Sequence, residues 1–309
     1  MKKVLKFTLA FLVILFVLIP EVAAHLMVHK GFKVEDPSAT PVDSAWLYSE
    51  LKERYPREEM TFPSGENLLH GFLYGKGNEG PLLVFAHGIG YSHETYLSLI
   101  TWFVDHGYPV FAPDLTASGK SGGNDRKGLI QSALDVDAAL TFLESDSRFG
   151  DMPKVLVGHS WGAFGVIGAL SFDHDVTAVV SFAPFAYPRR ELCNALSMGL
   201  GPLVQLTRPW LSLEDRTVFG RYAGLNAVKS LRHTKVPVLV VHGTGDEIIS
   251  YGKSSVIAYR DRIGNPSVRY MTVDEEGRCG HESIFRAKGE THLNEPFMQS
   301  INEFIVNNL

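Results

Sequence analysis

Hydrophobic positions along the chain fall into three patterns. An unbroken apolar run fills residues 7–20. Two short strand-like stretches follow at 59–62 and 68–74, split by the turn signal Pro63-Ser64-Gly65. From residue 81 onward, apolar runs of strand length alternate with segments of helix length. The runs are 81–86, 108–112, 154–157, 176–182, 236–241 and 267–273. Helices are predicted near 93–106, 128–144, 161–172, 250–263 and 293–306, with an earlier one at 42–54. Short continuous apolar strands between helices predict an α/β fold with a mostly parallel sheet of about eight strands, covered on both faces. The leading pair predicts an antiparallel edge.

Two intervals break the alternation. Residues 185–234 are too long for a simple connection and carry helix-compatible apolar stretches; an insertion of this length usually has a function, such as a cap or lid. The other is the N-terminus. Lys2, Lys3 and Lys6 precede the apolar run, and Glu21 and Val22-Ala23-Ala24 follow it. That is the layout of a secretory signal peptide, with cleavage expected after Ala24. The run is shorter than the about 20 residues a spanning helix needs. An uncleaved membrane anchor is the alternative. The expected organisation is a signal or anchor at 1–24, a lead-in at 25–57, and one domain at 58–309.

Composition narrows the function classes. With 45% hydrophobic and 20% charged residues, the chain is neither disordered nor a disulfide-built miniprotein. A net charge of −5 without a basic block argues against nucleic acid. A single long apolar run excludes a multi-span membrane protein. Two cysteines, Cys193 and Cys279, exclude a Cys-rich metal site. Export would let them pair; the bland reading is two separate small apolar side chains.

The chemistry centres on residues 154–162. An apolar strand runs into Gly158-His159-Ser160-Trp161-Gly162 and then into a helix rich in Ala, Gly and Leu. This is the G-x-S-x-G elbow in its required strand–turn–helix setting, with Ser160 as nucleophile. A second match, Gly119-Lys120-Ser121-Gly122-Gly123, lies in a polar stretch with no strand feeding it, and reads as a flexible loop beside the site. A serine hydroxyl needs a base, and the base needs an orienting carboxylate. In an elbow of this kind the order is Ser, acid, His. Of twelve histidines, only His281 and His292 follow a suitable acid. His281 sits in a loop after the last strand and is favoured over His292 at the start of the terminal helix. Asp246 lies just past the end of the 236–241 strand, where functional groups of open α/β sheets collect; Glu247 is its neighbour and competitor. Backbone N–H groups of Trp161 and Ile89 are the expected oxyanion donors, Ile89 from the loop His87-Gly88-Ile89-Gly90. His87 is expected to hold that loop by a hydrogen bond.

Taken in order, His87–Gly90, Asp114, Gly158–Gly162, His242–Asp246 and Gly280-His281 resemble an α/β-hydrolase-fold serine hydrolase over residues 58–309. The closest likeness is to the monoacylglycerol lipase, esterase and serine-aminopeptidase-like group. The resemblance implies a helical cap at the long insertion. Relatives that act as dehalogenases or epoxide hydrolases carry Asp where Ser160 stands. One departure stands out: that group has Arg-Gly-His-Gly-x-Ser after its aspartate, and here Leu115–Ser121 reads Leu-Thr-Ala-Ser-Gly-Lys-Ser. The expectation is cleavage of a small-molecule carboxylic ester through an acyl-enzyme, with no metal or organic cofactor. Cap residues Leu196, Met198, Leu200, Leu203, Val204, Leu206 and Trp210 would either line an apolar pocket or seat the cap on the core. A peptidase or amidase is the alternative, with Glu191, Glu214 or Asp215 holding a free amine. A binding protein that kept the fold but lost catalysis is a third reading.

Overall fold

The computed structural model describes residues 2–42, 46–288 and 292–309. Eight strands form one sheet: β1 (Arg57–Ser64), β2 (Asn67–Tyr74), β3 (Leu82–Ala86), β4 (Val110–Pro113), β5 (Lys154–His159), β6 (Ala178–Phe182), β7 (Val238–Gly243) and β8 (Val268–Val273). Their spatial order is β1-β2-β4-β3-β5-β6-β7-β8. β1 pairs with β2 and β2 with β4 antiparallel, and all other pairs are parallel. Burial follows position in the sheet. Every residue of β3, β5, β6 and β7 is buried, whereas edge strand β1 alternates buried and exposed.

Successive residues of a strand point to opposite faces, so the sheet divides the core. Leu82, Val84 and Leu156 face one layer, made by α5 (Gln131–Ser145), α6 (Trp161–Ala169), α9 (Ala227–His233) and α10 (Arg260–Ile263). Leu83, Phe85 and Val157 face the other, made by α4 (Leu97–Asp105) and α11 (Glu295–Val306). All nine residues of α6 are buried, as befits a helix behind the central strand.

Several predicted helices are shorter than their apolar patterns. Residues 93–106 split into a 3-10 turn, His93–Tyr96, and α4, because Ser92 and Thr95 form a capping box at His93. Residues 250–263 form turns, a 3-10 turn at Ile257–Tyr259 and the single turn α10; Gly252 and Ser254-Ser255 interrupt the rest. Within 42–54, residues 43–45 lie outside the described residues, and one turn, α3 (Tyr48–Leu51), is helical.

The insertion between β6 and β7 contains α7 (Pro188–Leu200), a 3-10 segment Pro202–Thr207, α8 (Arg208–Phe219), a 3-10 turn Gly220–Tyr222, and α9. At the N-terminus, α1 (Lys2–Val13), a π-helical stretch Ile14–Leu18 and α2 (Ile19–His29) run on without a break. Together they make a 28-residue helix long and apolar enough to cross a membrane. Its last turns pack on the insertion: Ala24 and Val28 are buried with Cys193, Val204 and Leu211. The cap hydrophobics therefore do neither thing expected of them. Leu196, Val204 and Trp210 pack in this cluster beside α2, and Met198, Leu200, Leu203 and Leu206 are exposed. Cys193 and Cys279 are free thiols, Cys193 packed beside Thr207.

Candidate active site

The loops that follow β3, β5, β7 and β8 carry the expected site residues. β5 ends at His159, and α6 starts at Trp161. Between them Ser160 has φ 54° and ψ −114°, outside the regions an ordinary side chain adopts. Its neighbours explain how the turn closes. A Cβ at Gly158 would stand 2.5 Å from the Gly162 carbonyl oxygen, and one at Gly162 would stand 2.1 Å from the Ala86 carbonyl oxygen. Only glycine fits either place. The Ser160 N–H is held by the Phe182 carbonyl at 2.9 Å, so the turn is tied to β6.

Ser160, His281 and Asp246 form one hydrogen-bonded chain. The Ser160 hydroxyl lies 2.9 Å from His281 Nε2, and His281 Nδ1 lies 2.8 Å from Asp246 Oδ2. A carboxylate only accepts, so Nδ1 carries the ring proton and Nε2 accepts from the serine. All three residues are buried. Asp246 is locked on both oxygens. Oδ1 accepts from the N–H groups of Ile248 (2.9 Å) and Ile249 (2.7 Å). Oδ2 also receives His242 Nε2 at 3.0 Å, which in turn reaches the Ile249 carbonyl at 2.9 Å.

The electrostatics follow. Burial alone would raise the Asp246 carboxyl, but the hydrogen bonds from His242 and His281 outweigh it and hold it well below the usual carboxylate range. For His281, burial disfavours the charged ring. The Asp246 hydrogen bond and charge overcome this, with Glu282 and Glu247 adding to them, and raise it above the ordinary histidine value.

Three partners were not read from the sequence. Glu247, next to Asp246, accepts the His281 N–H at 3.2 Å, so the competing carboxylate holds the loop that carries His281. His159 donates from Nε2 to the His281 carbonyl at 3.1 Å and accepts the Tyr96 hydroxyl on Nδ1 at 2.7 Å. Tyr96 Oη also accepts the Gly88 N–H at 3.2 Å, linking the loop after β3 to the backbone of His281. Enclosure pushes His159 down to about 3. The contact of His242 with Asp246 is a fourth, and its i,i+4 spacing was a readable signal; nothing local marks the other three.

Ile89 sits half-buried in the turn after β3, beside Gly90 at φ 82°. Trp161 is the first residue of α6, where a backbone N–H has no partner within its own helix, and its indole donates to the Leu129 carbonyl at 3.0 Å. His87 accepts the Leu115 N–H on Nε2 at 2.9 Å and donates from Nδ1 to the Gly88 carbonyl at 2.8 Å. It ties two loops together, and burial lowers it to about 4. His292 lies in the segment before α11, its carbonyl accepting the Ala287 N–H.

A family model described as serine aminopeptidase, S33, matches residues 78–226. An esterase from Pyrococcus furiosus superposes with a TM-score of 0.65 at 20% identity, over 90% of this chain and 99% of that one. The chain has the α/β-hydrolase fold. Est1E from Butyrivibrio proteoclasticus, solved with ferulic acid bound, superposes with a TM-score of 0.59 at 18% identity, over 81% of this chain and 98% of that one. A polyketide transferase from Stachybotrys chlorohalonatus is 31% identical over 132 residues. That match spans 41% of this chain and 44% of the relative.

Within this fold, the divergent stretch after β4 is a pinned loop, which corrects the flexible reading of it. Asp114 accepts the His93 ring Nδ1 at 2.7 Å, the His93 N–H at 2.9 Å and the Lys120 N–H at 2.9 Å. Burial opposes its charge, and the His93 contacts prevail, lowering it to about 2. Ser121 donates to the Asp114 carbonyl and accepts the His70 N–H at 2.8 Å. Its hydroxyl is committed to the backbone.

Proposed function

We propose that this protein is an exported serine hydrolase that cleaves a carboxylic ester of an apolar acyl or aromatic group. The observation that carries the reading is the chain Ser160–His281–Asp246 at 2.9 and 2.8 Å, mounted on a strained elbow that only glycines permit. Ser160 attacks the carbonyl while His281 Nε2 takes its proton. Asp246 keeps the ring in the correct tautomer and stabilises the imidazolium that forms. The N–H groups of Trp161 and Ile89 receive the oxyanion. His281 returns the proton to the leaving alcohol, and water then deacylates Ser160 by the same route. Esterase neighbours, one of them solved with ferulic acid, support an ester over other acyl substrates.

One observation favours a second reading, amide cleavage next to a free amine. Glu191, in the first turn of α7, is buried, with Oε2 lacking a hydrogen-bond partner among the described residues. Burial raises its carboxyl, and Asp246, His281 and His242 all act on its charge. A p-nitrophenyl ester series from acetate to palmitate, run beside aminoacyl-naphthylamides, separates the readings. Faster turnover of the esters supports the first; faster turnover of the naphthylamides reverses the order. No turnover of either by folded protein leaves the binding-protein reading.

Export rests on the N-terminal segment, and small-molecule substrates on the esterase neighbours. The burial of Ala24 against the cap favours an uncleaved anchor over cleavage after Ala24. N-terminal sequencing of envelope material decides this: a chain starting at Met1 supports the anchor, and one starting at His25 supports the signal peptide.

A further inference from the structure

The helix that enters the cap carries two histidines one turn apart, and both meet one cap carboxylate. His25 Nδ1 lies 3.1 Å from Glu214 Oε1, and His29 Nε2 lies 2.9 Å from Glu214 Oε2. The i,i+4 spacing sets the two rings side by side on one face of α2, tilted by 41° with centroids 4.3 Å apart. One ligand atom from each residue falls within 4.8 Å of the others. A different ring nitrogen of each histidine faces Glu214, so two potential ligand nitrogens address the same small volume once their protons leave. We propose that His25, His29 and Glu214 form a site for a divalent transition-metal ion of the zinc class, which joins the N-terminal helix to the cap.

Three physical points support the assignment. The donor set suits the ion: two imidazoles and a carboxylate are a recurrent zinc triad, with a fourth position left for water. The spacing suits it too. Ligands about 2.0–2.1 Å from a tetrahedral ion stand roughly 3.3 Å apart; the two nitrogens lie 3.1 and 2.9 Å from the two Glu214 oxygens, and all three ligand atoms lie within 4.8 Å of one another. Third, packing sets the site in advance. Ala24 and Val28 lie on the same stretch of α2 and are buried against Leu211 of α8, which fixes the register of the helix that bears the histidines against the helix that bears Glu214. Hydrogen bonds alone are a weak reason for this convergence, since exposed ion pairs contribute little, and the two rings are 59% and 43% exposed. On binding, the ion replaces the two ring protons that now face Glu214. Glu21, one turn before His25 on the same stripe, adds negative charge. The second such cluster, His159, His281 and Glu282, is a poor rival, because its imidazole nitrogens are already engaged by Tyr96, Ser160, Asp246 and a carbonyl. The proposal is independent of the role given to Ser160.

The test is calorimetric titration of untagged full-length protein in detergent with ZnCl2 at neutral pH, beside His29→Gln, Glu214→Gln and Glu282→Gln. One equivalent should bind the wild type and Glu282→Gln alike. Affinity should fall about tenfold or more in each of the other two. Unchanged binding in His29→Gln and Glu214→Gln, or no binding to the wild type, overturns the proposal. Unfolding in EDTA should coincide for all four proteins; if either ligand variant fails that control, His25→Gln takes its place with the same two outcomes.

Discussion

Replacing Asp246 by Asn separates geometry from charge at the site. Asn keeps a carbonyl oxygen for the Ile248 and Ile249 N–H groups at 2.9 and 2.7 Å, so the loop after β7 should hold. It replaces the Oδ2 that accepts His281 Nδ1 at 2.8 Å and His242 Nε2 at 3.0 Å with an NH2 donor. The His281 ring then keeps its partner only by turning Nδ1 into the acceptor. That moves its proton to Nε2, facing the serine hydroxyl it should deprotonate. The same exchange in a serine protease lowers kcat by about 10⁴-fold, which at 1.36 kcal/mol per decade is roughly 5.4 kcal/mol of transition-state stabilisation. The stability loss should be smaller, about 1–3 kcal/mol, because His242 Nε2 loses the carboxylate but keeps the Ile249 carbonyl at 2.9 Å. The assay is p-nitrophenyl ester hydrolysis against pH, with urea unfolding in parallel. In the wild type, activity should fall in acid with a midpoint above about 6.5, the ordinary histidine value, because Asp246 raises His281 and the protonated ring cannot act as base. In Asp246→Asn the midpoint should move down along with the rate. A rate loss below about tenfold with an unmoved acid limb would refute the assignment of Asp246.

Other sites give independent tests. Ser121→Ala should leave ester turnover nearly intact and cost about 1–3 kcal/mol in urea unfolding, because the hydroxyl is spent on the backbone of β2 and of Asp114 just after β4; loss of turnover would make the second G-x-S-x-G catalytic. Gly162→Ala forces a methyl against the Ala86 carbonyl, so it should destabilise by about 1–3 kcal/mol or more and reduce activity together; a neutral effect on unfolding would contradict the packing described for the elbow. His159 and His87 stay neutral when folded down to about 3 and about 4. Between those values and about 6.5 the unfolded chain binds the extra protons, so stability falls as pH falls. From neutral pH to about 5 each should cost roughly 2 kcal/mol, and His159→Gln should flatten the unfolding midpoint against pH; an identical slope in the variant would count against its burial.

Much of the fold was legible because it depends on local pattern. The buried parallel strands are continuous apolar runs, and the runs at 81–86, 154–157 and 236–241 lie on β3, β5 and β7. The elbow was readable because its two glycines are demanded by backbone approach within a few residues. His281 and Asp246 emerged from chain order, and their meeting with Ser160 is a matter of sheet topology. Long-range pairings were not legible. Neither the burial of Ala24 beneath the cap nor the contact of Glu247 with the His281 backbone has any periodicity to betray it. The cap hydrophobics misled for the same reason. Their number showed that something apolar would be covered, but only the packing of α2 says what covers Val204 and Leu211.

The most direct test of the central claim is to treat the protein with an alkyl fluorophosphonate and locate the adduct by mass spectrometry while following ester hydrolysis. Hydrolysis should stop as a single adduct forms on the peptide containing Ser160, and Ser160→Ala should neither react nor turn over. Continued hydrolysis with Ser160 unmodified, or an inactivating adduct on another residue, would contradict the account.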